Sequence, residues 1–329
     1  MFMRRDWSLV ALLFLAACSR DGTPPLAQGH LPVAGGDSLY YRIIGRGADT
    51  IVVLHGGPAL NSRYLEEALQ PLAASHVLLL YDQRGRGRSS DPRSLDSLSF
   101  DRDLSDLAEV QAHFRLGPLK VVGHQWGAAL AVQYSIRHPG QVARMALLSP
   151  LVHQSAAVYK LSLLPNDSEA FANLAVARST HADSLDPAGF CRQFWGFAFS
   201  PAEITARSTI RQLAPAVCSD PPDRLRKRDE VSRRLYVSLG RWTWIDSLTL
   251  AVPPALLIVG NDTPPLVDDS RLWTGHLHDA RLLIAGRTAL LPWIEAGEEV
   301  NHDLDLFFRG TWPVEALRVD SSGLTIPGT

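Results

Sequence analysis

Ten residues, Val121–Leu130, reading VVGHQWGAAL, limit the fold of this chain more than any other stretch. Two valines run into Gly123, and four positions later Gly127 opens a run of small and apolar residues. The first part has the composition of a buried strand and the second that of a helix that can lie close to a sheet. A glycine on either side of the joint lets the two backbones approach without side chains between them. The spacing predicts a strand, a sharp turn centred on Gln125, and a closely packed helix.

The same alternation extends along the chain. LYYRII, TIVVLHGG and HVLLLYD read as strands, the last two as near-continuous apolar runs of the kind found in strands covered on both faces. Leu104, Leu107, Val110 and Phe114 recur at helical spacing between Phe100 and Leu116. LKVVGH is then a strand, WGAALAVQYSIRH a helix and VARMALLS a strand. From Leu151 to Leu250 the pattern gives way to helical and irregular pieces. It resumes with PPALLIVG, a helix around SRLWTGHL, the strand ARLLIAG and a last helix through EEVNHDLDLFF. The expectation is an α/β fold with a mostly parallel, doubly wound sheet interrupted by an inserted helical cap. Core residues are expected over 36–150 and 251–329, with the cap over 151–250.

The amino terminus is different in kind. MFMRRDWSLVALLFLAACS carries two arginines and an apolar run too short to anchor in a bilayer, which is the pattern of a signal peptide over 1–17. Residues 18–35 contain Gly and Pro without periodicity and read as a tether. A formal net charge of -2, with no long charged run, gives no electrostatic case for nucleic acid. Cys191 and Cys218 are the two cysteines beyond Cys18. In an exported chain they are expected to form a disulfide within the cap. No CxxC or His/Cys cluster points to a metal, and no cofactor is expected.

Three motifs carry a family resemblance: HGGP at His55–Pro58, DQRGRGRS at Asp82–Ser89 and GHQWG at Gly123–Gly127, each at the end of an expected strand. In order and spacing they resemble the α/β-hydrolase fold, in its proline-iminopeptidase-like branch. SLGRWTW, PWIEAGEEV and FFRGTWPVEA resemble exported bacterial members of it. The end of the leader, LAAC, is similar to a bacterial lipobox. That likeness implies lipid attachment at Cys18 and a place in the cell envelope, at the outer membrane facing the periplasm.

The resemblance implies roles position by position. The main-chain N–H groups of Gly57 and Trp126 would form an oxyanion hole, and Asp82 and Arg84 would brace the floor of the site. The nucleophile position holds Gln125, whose carboxamide has no proton that a base could take. The acid falls on Asp262 if the usual spacing is shortened by one residue, and otherwise on Thr263. The histidine position after the last strand holds Arg287, which stays protonated at any working pH. His276, His278 and His302 stand elsewhere in the pattern. Two functions follow: a lipoprotein that binds a small molecule or peptide in the cap cleft without reacting with it, or a hydrolase of peptide or ester bonds using a non-standard residue. The family's acidic cap motif has no match in FCRQFWGFAFSPAE, so aminopeptidase specificity does not carry over.

Overall fold

The computed structural model describes residues 25–151, 153, 175–198, 213–289 and 291–326. Eight strands form one sheet in the order β1-β2-β4-β3-β5-β6-β7-β8. These are β1 (Ala27–Val33), β2 (Asp37–Gly45), β3 (Thr50–Leu54), β4 (Val77–Tyr81), β5 (Leu119–His124), β6 (Val142–Leu148), β7 (Ala255–Gly260) and β8 (Ala280–Ala285). β2 pairs antiparallel with both β1 and β4, and the pairs from β4 through β8 are parallel. A small hairpin of β9 (Arg318–Val319) and β10 (Thr325–Ile326) lies near the carboxyl end.

Helices cover both faces, which is why the central strands are largely apolar. α2 (Phe100–His113) and α3 (Trp126–Arg137) lie on one face with α7 (Ile245–Leu248) and α8 (Pro264–His276). α1 (Arg63–Ala68), α9 (Pro292–Glu295) and α10 (Gly297–Phe308) lie on the other. The N-cap of α2 is Ser99, whose side chain accepts from the Arg102 N–H, and Asp101 and Asp103 stand in its first turn, where the helix dipole favours them. Between β6 and β7 the chain contributes α4 (Ala182–Leu185), α5 (Pro187–Ala198) and α6 (Pro222–Leu239). The Cys191–Cys218 bridge joins α5 to the stretch before α6, with a Cα–Cα distance of 5.8 Å. The Trp244 N–H donates to His153 O at 2.8 Å, bonding the chain leaving the cap to the chain entering it.

One expectation is corrected. The tether read over 18–35 cannot run that far, because Ala27–Val33 is the edge strand of the sheet, paired residue by residue with β2. Its buried positions, Leu31 and Val33, do alternate, but Gly29 and Pro32 interrupt the pattern. Both residues are tolerated at an edge. Cys18, the leader and part of the cap lie outside the described residues.

After β3 the chain steps outward to β4, then returns past β3 to β5. The strand order therefore reverses between β3 and β5, leaving a crevice at their carboxyl ends. HGGP leaves β3 on one side of that crevice and GHQWG leaves β5 on the other.

Candidate functional site

Gln125 occupies the joint between β5 and α3 with φ 45 and ψ -99. Such a backbone is uncommon for any residue with a side chain and costs on the order of 1–3 kcal/mol. Its surroundings hold it there. The Gln125 N–H donates to Leu148 O at 3.0 Å, and its carbonyl accepts from Ala129 and Leu151 N–H, each at 3.2 Å. The two glycines make the turn possible: a Cβ on Gly127 would lie 2.2 Å from Leu54 O, and one on Gly123 would lie 2.5 Å from Gly127 O.

The turn lifts the Gln125 side chain into the crevice, where Oε1 accepts the Gly57 N–H at 2.8 Å. Tyr236 of α6 stands close to the Gln125 side chain. Burial pushes the Tyr236 phenol up to about 12, and the polar Gln125 side chain nearby pulls the other way. The Tyr236 ring meets the Trp126 indole edge-on, with centroids 5.8 Å apart.

Beneath this centre lies a buried polar layer. The Tyr64 hydroxyl accepts from Gly56 N–H at 2.9 Å, so its own proton goes to His124 Nδ1 at 2.5 Å. His124 is then the Nε2–H tautomer. His55 is the reverse: Nε2 accepts from Gln83 N–H at 3.0 Å, leaving Nδ1–H for Gly56 O at 3.2 Å. Desolvation lowers both imidazoles to about 3, so both are neutral. They set the shape of the HGGP turn.

The DQRGRGRS loop ties this layer together. Asp82 is buried and accepts from the main-chain N–H groups of Ser62 at 2.7 Å and Arg88 at 2.8 Å, while burial raises its pKa. Arg84 forks onto Asp106 at 2.9 and 2.6 Å and also reaches Asp37. Burial pushes Asp106 up to about 6 against the pull of Arg84. Arg86 does something the sequence did not disclose. It donates to Pro58 O at 3.0 Å and holds Asp103 through two bonds of 2.6 and 2.7 Å; Asp103 in turn accepts from Trp126 Nε1 at 2.9 Å. One guanidinium thus joins the loop that carries Gly57 to the residue that opens α3. The available signal was Asp103 and Asp106 lying three apart beside the buried Leu104 and Leu107 of α2.

The other two positions are not drawn into the centre. Arg287 lies exposed in the turn after β8, with φ 56. Asp262 is exposed after β7, and its neighbour Thr263 turns its hydroxyl back to Gly260 O at 3.0 Å. Main chain joins these two loops: Asp262 N–H donates to Thr288 O at 2.9 Å and Asn261 N–H to Ala285 O at 3.0 Å. Glu295 of the PWIE stretch shapes the second loop by accepting from Ala289 and Leu291 N–H, at 2.7 and 3.1 Å. Among the described residues no group of three or more His, Cys, Asp or Glu could hold a metal ion.

Comparison with known proteins agrees with this architecture. A family model described as alpha/beta hydrolase fold matches residues 49–272. A proline iminopeptidase of Heyndrickxia coagulans is 33% identical over 124 residues, 37% of this chain and 43% of that protein. Another, from Clostridium botulinum, is 24% identical over 221 residues, 65% of this chain and 70% of that one. The crystal structure of a Mycobacterium smegmatis proline iminopeptidase superimposes with a TM-score of 0.58 at 19% identity, covering 86% of this chain and 98% of that one.

Proposed function

The chain belongs to the alpha/beta-hydrolase fold family, resembling its proline iminopeptidases, and we propose that it works as a binding protein that has lost the family's reaction. The observation that carries this reading is the Gln125 carboxamide at the elbow, its oxygen on the Gly57 N–H that would otherwise polarise a substrate carbonyl. A carboxamide gives a base no proton and has no nucleophilic lone pair. Arg287 in the histidine position cannot serve as that base. An oxyanion hole and binding alone leave about a thousandfold acceleration over water, far short of a working hydrolase. The ligand is a small molecule or peptide held in the cleft between cap and core. LAAC supports lipid attachment at Cys18 and a periplasm-facing position on the outer membrane.

Incubation of the mature protein with a broad fluorophosphonate probe, beside a panel of esters and aminoacyl amides, tests the reading. The expected result is no labelling and no turnover above buffer. Labelling of any residue, or turnover, would overturn it; turnover surviving Gln125→Ala would place the chemistry elsewhere in the chain. Mass spectrometry of the mature amino terminus is expected to find a lipid-modified Cys18. An unmodified terminus beyond it would remove the anchor.

A further inference from the structure

We propose that Arg281 of β8 and Arg318 of β9, with the Trp312 indole beside them, form a binding site for a phosphate group at the end of the sheet opposite the crevice. The site stands apart from Gln125 and does not depend on how that residue is read. It also gives the FFRGTWPVEA stretch, which the crevice leaves unused, a part to play.

Strand register brings the two arginines together. Leu282, the residue after Arg281, and Leu317, the residue before Arg318, exchange backbone hydrogen bonds of 2.8 Å each in an antiparallel bridge. One step along, Arg281 and Arg318 therefore share a face at a non-hydrogen-bonded position, where neighbouring side chains come closest. Like charges so placed repel and destabilise a strand pair. Burial, and then the Arg318 charge, hold Arg281 below the usual guanidinium range, while the Asp279 carboxylate pulls the other way. Among the described residues neither guanidinium forms a hydrogen bond or an ion pair. The fold thus keeps a repulsive pair that nothing within it neutralises, which is the mark of a site completed by an anion.

Neighbouring cations on the same face do have partners. Lys120 donates to Phe308 O at 2.8 Å and Arg144 to Phe307 O at 3.3 Å, on the last carbonyls of α10, where the helix dipole favours positive charge. Lys120 also pairs with Asp49, and Arg309 with Asp305 at 2.8 Å. These contacts anchor α10 without Arg318. What remains is shaped for an oxyanion. The Arg281 guanidinium lies over the Trp312 ring at 4.8 Å, and Trp312 packs on Phe307 at 5.2 Å, so this fork is held in place. Arg281 is half-buried and Arg318 exposed, which leaves the second fork able to close on a ligand from solvent. A phosphate has charge and oxygens enough for both forks, whereas a carboxylate is filled by one.

Phosphorus NMR titration of the mature protein tests the proposal, with inorganic phosphate and, separately, dihexanoyl phosphatidic acid below its micelle concentration, in chloride at constant ionic strength. The natural protein is expected to bind at least one of them at millimolar concentration or below, and Arg318→Gln should weaken that binding about 10-fold. Arg318→Glu supplies the absent carboxylate. It should abolish binding and, with no anion present, raise the midpoint of thermal unfolding by turning repulsion into attraction. Binding of inorganic phosphate alone assigns the site to a soluble phosphate, and binding of the lipid at equal or lower concentration assigns it to a phospholipid headgroup; either supports the proposal. No binding of either probe, or binding that the two Arg318 variants leave unchanged, would overturn it. An Arg318→Glu midpoint below that of the natural protein would overturn it too, because Arg318 would then already have a structural partner.

Discussion

Gln125 is held at the elbow by main-chain bonds that do not depend on what its side chain is. The elbow backbone keeps φ 45 because Leu148, Leu151 and Ala129 all bond to it. His55 and His124 are held neutral below it, which gives the protein a defined response to acid. Their folded pKa values, about 3, lie below the unfolded value of 6.5, so the unfolded chain binds protons that the folded chain refuses. Stability from each is complete above about pH 6.5 and is lost as pH falls towards 3, at about 1.4 kcal/mol per pH unit. Buried carboxyls such as Asp106, raised to about 6, act in the opposite sense, so the histidine contribution is best read by difference. His124→Asn keeps an acceptor for Tyr64 and removes one titrating group. Its urea midpoints between pH 6.5 and 4 should fall less steeply than those of the natural protein, by the equivalent of about 1.4 kcal/mol per pH unit. Parallel profiles would show that His124 takes up its proton in the folded state.

At the level of elements, the loop after β4 and the start of α2 act as one buried unit with Arg86 at its centre. Arg86 and Asp103 are each 2% exposed or less, so removing the guanidinium leaves an uncompensated carboxylate in the core. Arg86→Met is expected to cost about 3–5 kcal/mol in chemical denaturation, and adding Asp103→Asn should recover part of that loss. A loss below about 1 kcal/mol would mean that water replaces the arginine. These elements also show what the sequence could reveal. Strands β3, β4 and β5 were plain because both faces are covered and their buried positions are mostly apolar, and α2 was plain because its buried stripe keeps helical spacing. β1 was not, because Gly29 and Pro32 interrupt its alternation at a sheet edge. α1, six residues long, is too short for a periodic signal. Within the site, the turns that bear Gly57 and Gln125 follow from local glycine spacing. Arg86 with Asp103, and Tyr236 with Trp126, join residues separated in the chain through side chains alone, and no local pattern encodes such pairs.

For the whole molecule the question is how a cap of irregular sequence stays on a regular core. The Cys191–Cys218 bridge works inside the cap, and Arg228 extends it, reaching Cys191 Sγ at 3.2 Å and Asp220 at 2.9 Å. Asp220 in turn accepts from Asn61, close after the HGGP turn, at 2.7 Å, and Arg224 donates to Gly85 O and Ser89 O at 3.1 and 2.6 Å. Replacing both cysteines by serine should lower cap stability by about 3–4 kcal/mol on the loop-entropy estimate, which engineered bridges often fall short of. Calorimetry is expected to show an earlier cap transition with the core transition in place. A single shifted transition would mean that cap and core unfold together. The bond between Trp244 and His153 has a further consequence, for how such a protein can change over generations. The cap's two ends already touch, so the core has met the entropy of closing that loop whatever its length, and each doubling of length adds only about 0.6 kcal/mol. Insertions, deletions and wholesale rewording between those ends leave the sheet's pairings intact, so the surface facing the crevice can drift towards new ligands while the scaffold beneath stays fixed.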